Sequence, residues 1–251
     1  MKFSIVLATI AAVASAAPSR DMSSSNRIQK RAVFTTPKTF DELSISGGKA
    51  GTAKEDALKK LSGLPADLST VDKADLDFLN AVNKIANQAE RGAYNAKIAA
   101  TAPGEEALAL QRAKIQNKVL KLTATVMGLQ AQQAQGQDVT AKLEEENKKL
   151  QNNIASDVAN AGKPATALKF EASTDNPAAS EAAGAKDDAT AKKAGDVVDQ
   201  SLKAVGGAGG AGGAGAAGGA ADNGKGKGNG SGKKAARNVV EEDAADEEDD
   251  E

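Results

Sequence analysis

Large apolar residues recur at helical spacing on both sides of Gly136, and this pattern constrains the fold more than any other feature. Residues 105–134 carry one at nearly every helical turn, and a second series follows the glycine as far as residue 158. A short turn at Gly136 makes two such helices antiparallel neighbours. The apolar positions at equal distance from the turn are Leu129 and Leu143, Leu122 and Leu150, Val119 and Ile154, and Ile115 and Val158.

Two more helices are predicted before this pair. A short one covers about residues 52–61. A longer one begins after Ser69, because Asp72 follows three residues later, as in a capping signal ahead of an apolar stripe. The stripe consists of Leu79, Val82, Ala86, Ala89 and Ala93.

The last of these helices is predicted to stop at Gly162, which fits a helix end, with Pro164 blocking its continuation. No apolar alternation of period two argues for a sheet. The predicted fold is therefore all-α, an antiparallel helical bundle of three long helices plus one short helix, over residues 32–162.

Residues 163–251 are predicted to form a long disordered tail. Fourteen of the 25 glycines lie between Gly206 and Gly232, and nine of the last eleven residues are acidic. Such a sequence offers too few bulky apolar groups to offset the entropy lost on ordering.

The N-terminus has the features of a secretory leader. Residues 1–16 combine a charged start, a short apolar run and small residues ending at Ala16, which predicts a signal peptide. The apolar run is too short to span a bilayer, and no later stretch is apolar enough to do so. Residues 17–31 end in the dibasic pair Lys30 and Arg31, which predicts a pro-segment removed before Ala32.

Three phrases of the sequence carry a family resemblance: "FDELSIS", "GLPADLSTVDKADLDFLNAVNKIANQAER" and "LQRAKIQNKVLKLTATVMGLQAQQAQGQD". They resemble uncharacterised, cysteine-free small secreted proteins of filamentous fungi, over residues 40–157. The resemblance implies a fungal source, secretion and a helical domain of unassigned activity. It carries no catalytic motif onto this chain.

The composition argues against an enzyme. The chain has no histidine and no cysteine, so the commonest general base, thiol nucleophiles and zinc sites built on these residues are excluded. Paired carboxylates such as those of Glu144 to Glu146 are expected on solvated helix faces. No cofactor is predicted. A net charge of −2, with no aromatic residue after Phe170, argues against nucleic-acid binding.

Three lysines are the main candidate for a contact site. Lys114, Lys118 and Lys121 follow one another at helical spacing beside an apolar stripe. They are interpreted as a basic surface for anionic lipid or a cell-wall polymer, or as the solvated flank of a core stripe. Asn229 lies in a glycosylation sequon, in the glycine-rich region.

The sequence thus predicts a secreted, extracellular protein that acts by binding and is not an enzyme. One hypothesis is a cell-surface or wall-associated component, or an effector that meets a host protein. The alternative is a carrier of lipid or another apolar ligand in a groove between alanine-rich helices.

Overall fold

The computed structural model describes residues 31–208, and helices dominate this part of the chain. A π-helical segment, Glu90–Asn95, joins α3 (Lys73–Ala89) to α4 (Ala96–Ala100) without a break. Strands β1 (Gly48–Lys49) and β2 (Pro164–Ala165) form a two-residue antiparallel pair. The predicted all-α class is confirmed. The α-helices are α1 Phe40–Leu43, α2 Ala53–Lys60, α3 Lys73–Ala89, α4 Ala96–Ala100, α5 Glu105–Ala134, α6 Thr140–Ala159 and α7 Asp188–Ala208.

The hairpin of α5 and α6 forms the centre of the fold. Helix α5 has the predicted bounds, and Gly136 takes a positive φ of 89° in the turn, a conformation that glycine adopts without strain. Val119, Leu122 and Leu150 are buried in the largest core cluster, and Ile154 packs against it partly buried. The matched apolar stripes therefore do form part of the core.

The pairing fails at the last level of the hairpin. Val158 is 56% exposed, whereas its predicted partner Ile115 is buried. Next to it, Asp157 turns inward and accepts the backbone N–H groups of Gly51 and Ala53, at 3.0 and 2.9 Å. The end of α6 is thus held to the start of α2 by hydrogen bonds.

Helix α3 begins three residues later than Ser69 suggested. The Asp72 side chain accepts the N–H of Ala74 at 2.8 Å and is the actual cap. Ser69 lies in a preceding 3₁₀ turn, where Asp67 accepts its N–H. Both residues of the predicted signal are therefore at the helix entry, with the capping role shifted to the second.

The predicted boundary at Lys163 is wrong. Helix α7 packs on α4 and α5, where Ala194, Val197 and Val198 form a second core cluster with Ile98 and Leu110. The apolar face of α7 was missed because it is short and made of small residues. Residues 209–251, which make up about half of the predicted tail, lie outside the described range.

The helix connection before α5 is also tied to α7. The backbone N–H of Gly104 donates to Oγ of Ser201 at 2.9 Å. Within residues 31–208, no helix is long and apolar enough to cross a membrane.

Candidate functional site

The three candidate lysines lie inside the protein. Lys114, Lys118 and Lys121 are 2, 4 and 4% exposed. The prediction that they form an exposed basic surface, or the solvated flank of a stripe, is wrong. Helix α5 is enclosed by other elements around most of its circumference, so positions beside the apolar stripe are covered as well.

The ammonium groups of these lysines converge on one buried carboxylate, that of Glu90. Lys121 Nζ lies 3.1 Å from Oε2 of Glu90. The Nζ atoms of Lys114 and Lys118 lie 3.9 and 4.0 Å from Oε1. We call these four residues the lysine cluster. Burial strengthens the attraction between these opposite charges.

Glu90 lies at the point where the helix changes its winding. It is the first residue of the π-helical segment that follows α3. Extra backbone per turn shifts the following side chains relative to those of α3, and such π-bulges are frequent at functional sites. Asn87, one turn earlier, accepts a second hydrogen bond from Lys121 at 3.3 Å.

An open pocket of about 800 Å³ lies between α3, α5 and the start of α6. Its polar lining holds five amide side chains, two lysines and the three carboxylates of Asp72, Asp77 and Glu146. Lys73 is largely exposed and pairs with Asp77, and Lys142 is exposed. The amide side chains of the lining belong to Asn80, Asn83, Gln132, Gln135 and Gln137.

The pocket and the lysine cluster are neighbours along the same two helices. Asn83 and Thr125 line the pocket, and the Asn83 amide donates to Oγ1 of Thr125 at 2.7 Å. One turn further along each helix, Asn87 and Lys121 make the hydrogen bond of the cluster. The lysine cluster thus lies next to the end of the pocket that Asn83 and Thr125 form.

One of the glutamates expected on a solvated face belongs to this pocket instead. Glu146 is buried, lines the pocket and accepts a hydrogen bond from Lys149 at 3.2 Å. Glu144 and Glu145 are exposed, as expected. The difference arises because Glu146 lies on the side of α6 that faces α3 and α5.

Tyr94 is the buried titratable group of the π-helical segment. Its hydroxyl oxygen accepts the backbone N–H of Leu168 at 3.3 Å, and its side chain is fully buried. Burial raises the pKa of the Tyr94 phenol, since the charged phenolate is poorly solvated there. The tyrosine therefore has a structural place between the helix and the segment that leads to α7.

The remaining candidate residues are at the edges of the described range. Arg31 is its first residue and is exposed, whereas Ala16, Lys30 and Asn229 lie outside it. Among residues 31–208, no group of three or more acidic side chains is placed to hold a metal ion.

The sequence pattern did not reveal the pocket. Its amides are scattered over α3, the end of α5 and the following turn, and each alone reads as an ordinary surface residue. The repeated Gln residues from Gln132 to Gln137 were the one local signal. Their meaning depends on the tertiary packing that brings Asn80 and Asn83 opposite to them.

Residues 34–169 match the family described as Domain of unknown function (DUF8454). The match covers more than half of the 251 residues, so the chain belongs to this family. It includes every element from α1 to β2 and therefore both the pocket and the lysine cluster. Comparison with curated proteins and with solved structures found no match.

Proposed function

We propose that this member of the DUF8454 family is a secreted, non-enzymatic fungal protein that binds an acidic polysaccharide of a cell surface or cell wall. The observation that carries the proposal is the open pocket of about 800 Å³, lined by five amide side chains and bordered by the lysine cluster.

The chemistry of the pocket suits a hydroxylated ligand whose acidic groups meet its two lysines and avoid its three carboxylates. Each amide side chain offers an acceptor and two donors, which match sugar hydroxyl groups. Lys73 and Lys142 can meet carboxylates at the open side.

Two features of the N-terminus support secretion. The first is the leader ending at Ala16. The second is the position of the dibasic pair, because the chain is tied to α3 from Val33 onward and Arg31 is exposed just before that anchor. A protease would therefore cut just before this anchor.

The same geometry gives less support to the other hypotheses. A flat membrane surface does not reach Lys114, Lys118 and Lys121, which are enclosed. A lipid carrier requires a predominantly apolar cavity, whereas eleven of the eighteen residues that line this pocket are polar or charged. An acidic segment of a host protein shares the anionic chemistry and is an outcome that the binding test separates.

The test is binding of the secreted, full-length mature chain to polygalacturonate, a uronic acid polymer, with neutral dextran as the comparison. We expect retention on immobilised polygalacturonate that weakens with added salt, and none on dextran. Gln132→Ala and Lys142→Gln should each weaken retention several-fold, because both side chains line the pocket.

Matched controls lie one helical face away. Gln133→Ala and Lys148→Gln change the same residue types at exposed positions of α5 and α6 that do not line the pocket. They should bind like the parent. Equal loss in pocket and control variants, or equal binding to dextran, contradicts the proposal. Binding to polyglutamate but not to polygalacturonate would point to a protein partner and overturn the polysaccharide.

A further inference from the structure

Asp75, in the first turn of α3, has a half-used carboxylate inside the protein. Its side chain has no solvent exposure. Oδ1 accepts the backbone N–H groups of Val33 and Phe34, at 2.8 and 2.9 Å. Oδ2 is buried and has no hydrogen-bond partner among the described residues. An unsatisfied carboxylate oxygen in the interior is costly, so a donor placed there would stabilise the fold.

The chain just before Val33 is held close to that oxygen. Phe34 stacks on Phe78 with ring centroids 4.3 Å apart, and Phe78 lies one turn beyond Asp75 on α3. The two hydrogen bonds to Oδ1 of Asp75 fix the backbone of Val33 and Phe34. The nitrogen of Ala32 is one residue before that of Val33, and consecutive Cα atoms lie about 3.8 Å apart.

We propose that Asp75 Oδ2 is the binding site for the α-ammonium group that forms at Ala32 when the chain is cut after Arg31. A protease that recognises dibasic pairs hydrolyses the peptide bond, with water supplying the carboxylate of Arg31 and the amine of Ala32. The amine takes up a proton near neutral pH, since α-amino groups have pKa values of about 7.7–8.0. The inference rests on the proposed processing site and is independent of polysaccharide binding.

The uncut chain cannot supply the same contact. Before the cut, the nitrogen of Ala32 is a neutral amide whose position is limited by Arg31. After the cut it is a cation with three donors and free rotation. A charge-assisted hydrogen bond to a carboxylate is about twice as strong as a neutral one. Processing would therefore lock residues 32–34 onto α3.

The experiment cuts the chain beginning at Ala17 with a dibasic-specific protease and compares thermal melting before and after, at pH 6.5. We expect the cut to raise the melting temperature by at least about 2–4 °C. Acetylating the new amine at Ala32 should remove the gain. No change on cutting, or a gain that survives acetylation, overturns the inference.

Two further measurements separate an ion pair from a general effect of removing the pro-segment. In Asp75→Asn, cut and acetylated chains should melt at the same temperature; a persisting difference contradicts the pairing. If that variant does not fold, the α-ammonium of the cut parent is titrated by NMR. Pairing raises the pKa of Ala32, and an ordinary value overturns the inference. N-terminal sequencing of the secreted protein tests the processing itself.

Discussion

Lys121 Nζ lies 3.1 Å from Oε2 of Glu90 inside the protein, where Glu90 opens a π-helical segment and Lys121 is in the middle of α5. This contact joins the two longest stretches of continuous helix, α3 with its extension and α5. It also places the buried lysine cluster beside the open pocket. The stability of the fold therefore depends on this contact, which lies next to the pocket proposed for binding.

Replacing Glu90 by Gln should destabilise the fold strongly. The substitution leaves three buried ammonium groups without the carboxylate on which they converge. Breaking a buried ion pair from one side costs about 3–5 kcal/mol. Urea unfolding followed by circular dichroism measures the change. Glu106→Gln, at an exposed position of α5, is the matched control and should unfold like the parent. Equal stabilities of the two variants would contradict the cluster.

The hairpin makes a second prediction about stability. Leu122→Ala and Leu150→Ala should each cost about 2–5 kcal/mol, because both side chains are buried in the main core. Val158→Ala should cost little, because Val158 is exposed. Chemical unfolding of the three variants tests the register, and an unfolding midpoint of Val158→Ala as low as that of Leu122→Ala would show that α6 is placed wrongly.

The segment that leads to α7 depends on Gly92. A Cβ at this position would lie 2.0 Å from the carbonyl oxygen of Ala183. Gly92→Ala should therefore separate this segment from the helix, and limited proteolysis should then release α7. In the parent, the resistant fragment should extend through Val198. Gly128→Ala is the control, since a Cβ there meets no atom within 4 Å and the change should stabilise α5 by up to about 1 kcal/mol.

Tyr94 predicts how stability responds to alkaline pH. Burial raises the pKa of its phenol, and the hydroxyl accepts the N–H of Leu168. A raised pKa in the folded state means that the stabilisation is complete below the unfolded value of about 10 and is lost as the pH rises through the folded value. Tyr94→Phe should lose less stability than the parent between pH 9.5 and 11. Identical pH profiles of the two proteins would contradict this role.

Local patterns in the sequence predict α2, α3, α5 and α6 but not what surrounds them. The bounds of α5 follow from apolar spacing and the turn at Gly136. The burial of Lys118 does not, because it results from the packing of other elements over a face that reads as polar. Helix α7 was missed because a face of Ala194, Val197 and Val198 is too small to stand out in a glycine- and alanine-rich region.

The same limit applies to the candidate site, because local patterns predict which residues share a helix face but not what packs against that face. Lys114, Lys118 and Lys121 were identified as neighbours on one helix face, which is correct. Their common partner Glu90 could not be inferred, because it belongs to another helix and meets them only through tertiary packing. The amides of the pocket come from separate helices and converge only in the folded chain.

Lysine acetylation of the mature protein, read by mass spectrometry with and without polygalacturonate, most directly tests the buried lysine cluster and the binding pocket. We expect slow modification in both states of the three buried lysines, Lys114, Lys118 and Lys121. Lys142 should react readily in the free protein and become protected by the polymer, whereas Lys148 should react equally in both. Rapid modification of the lysine cluster would contradict its burial, and unchanged reactivity of Lys142 with bound polymer would contradict the pocket as the binding site.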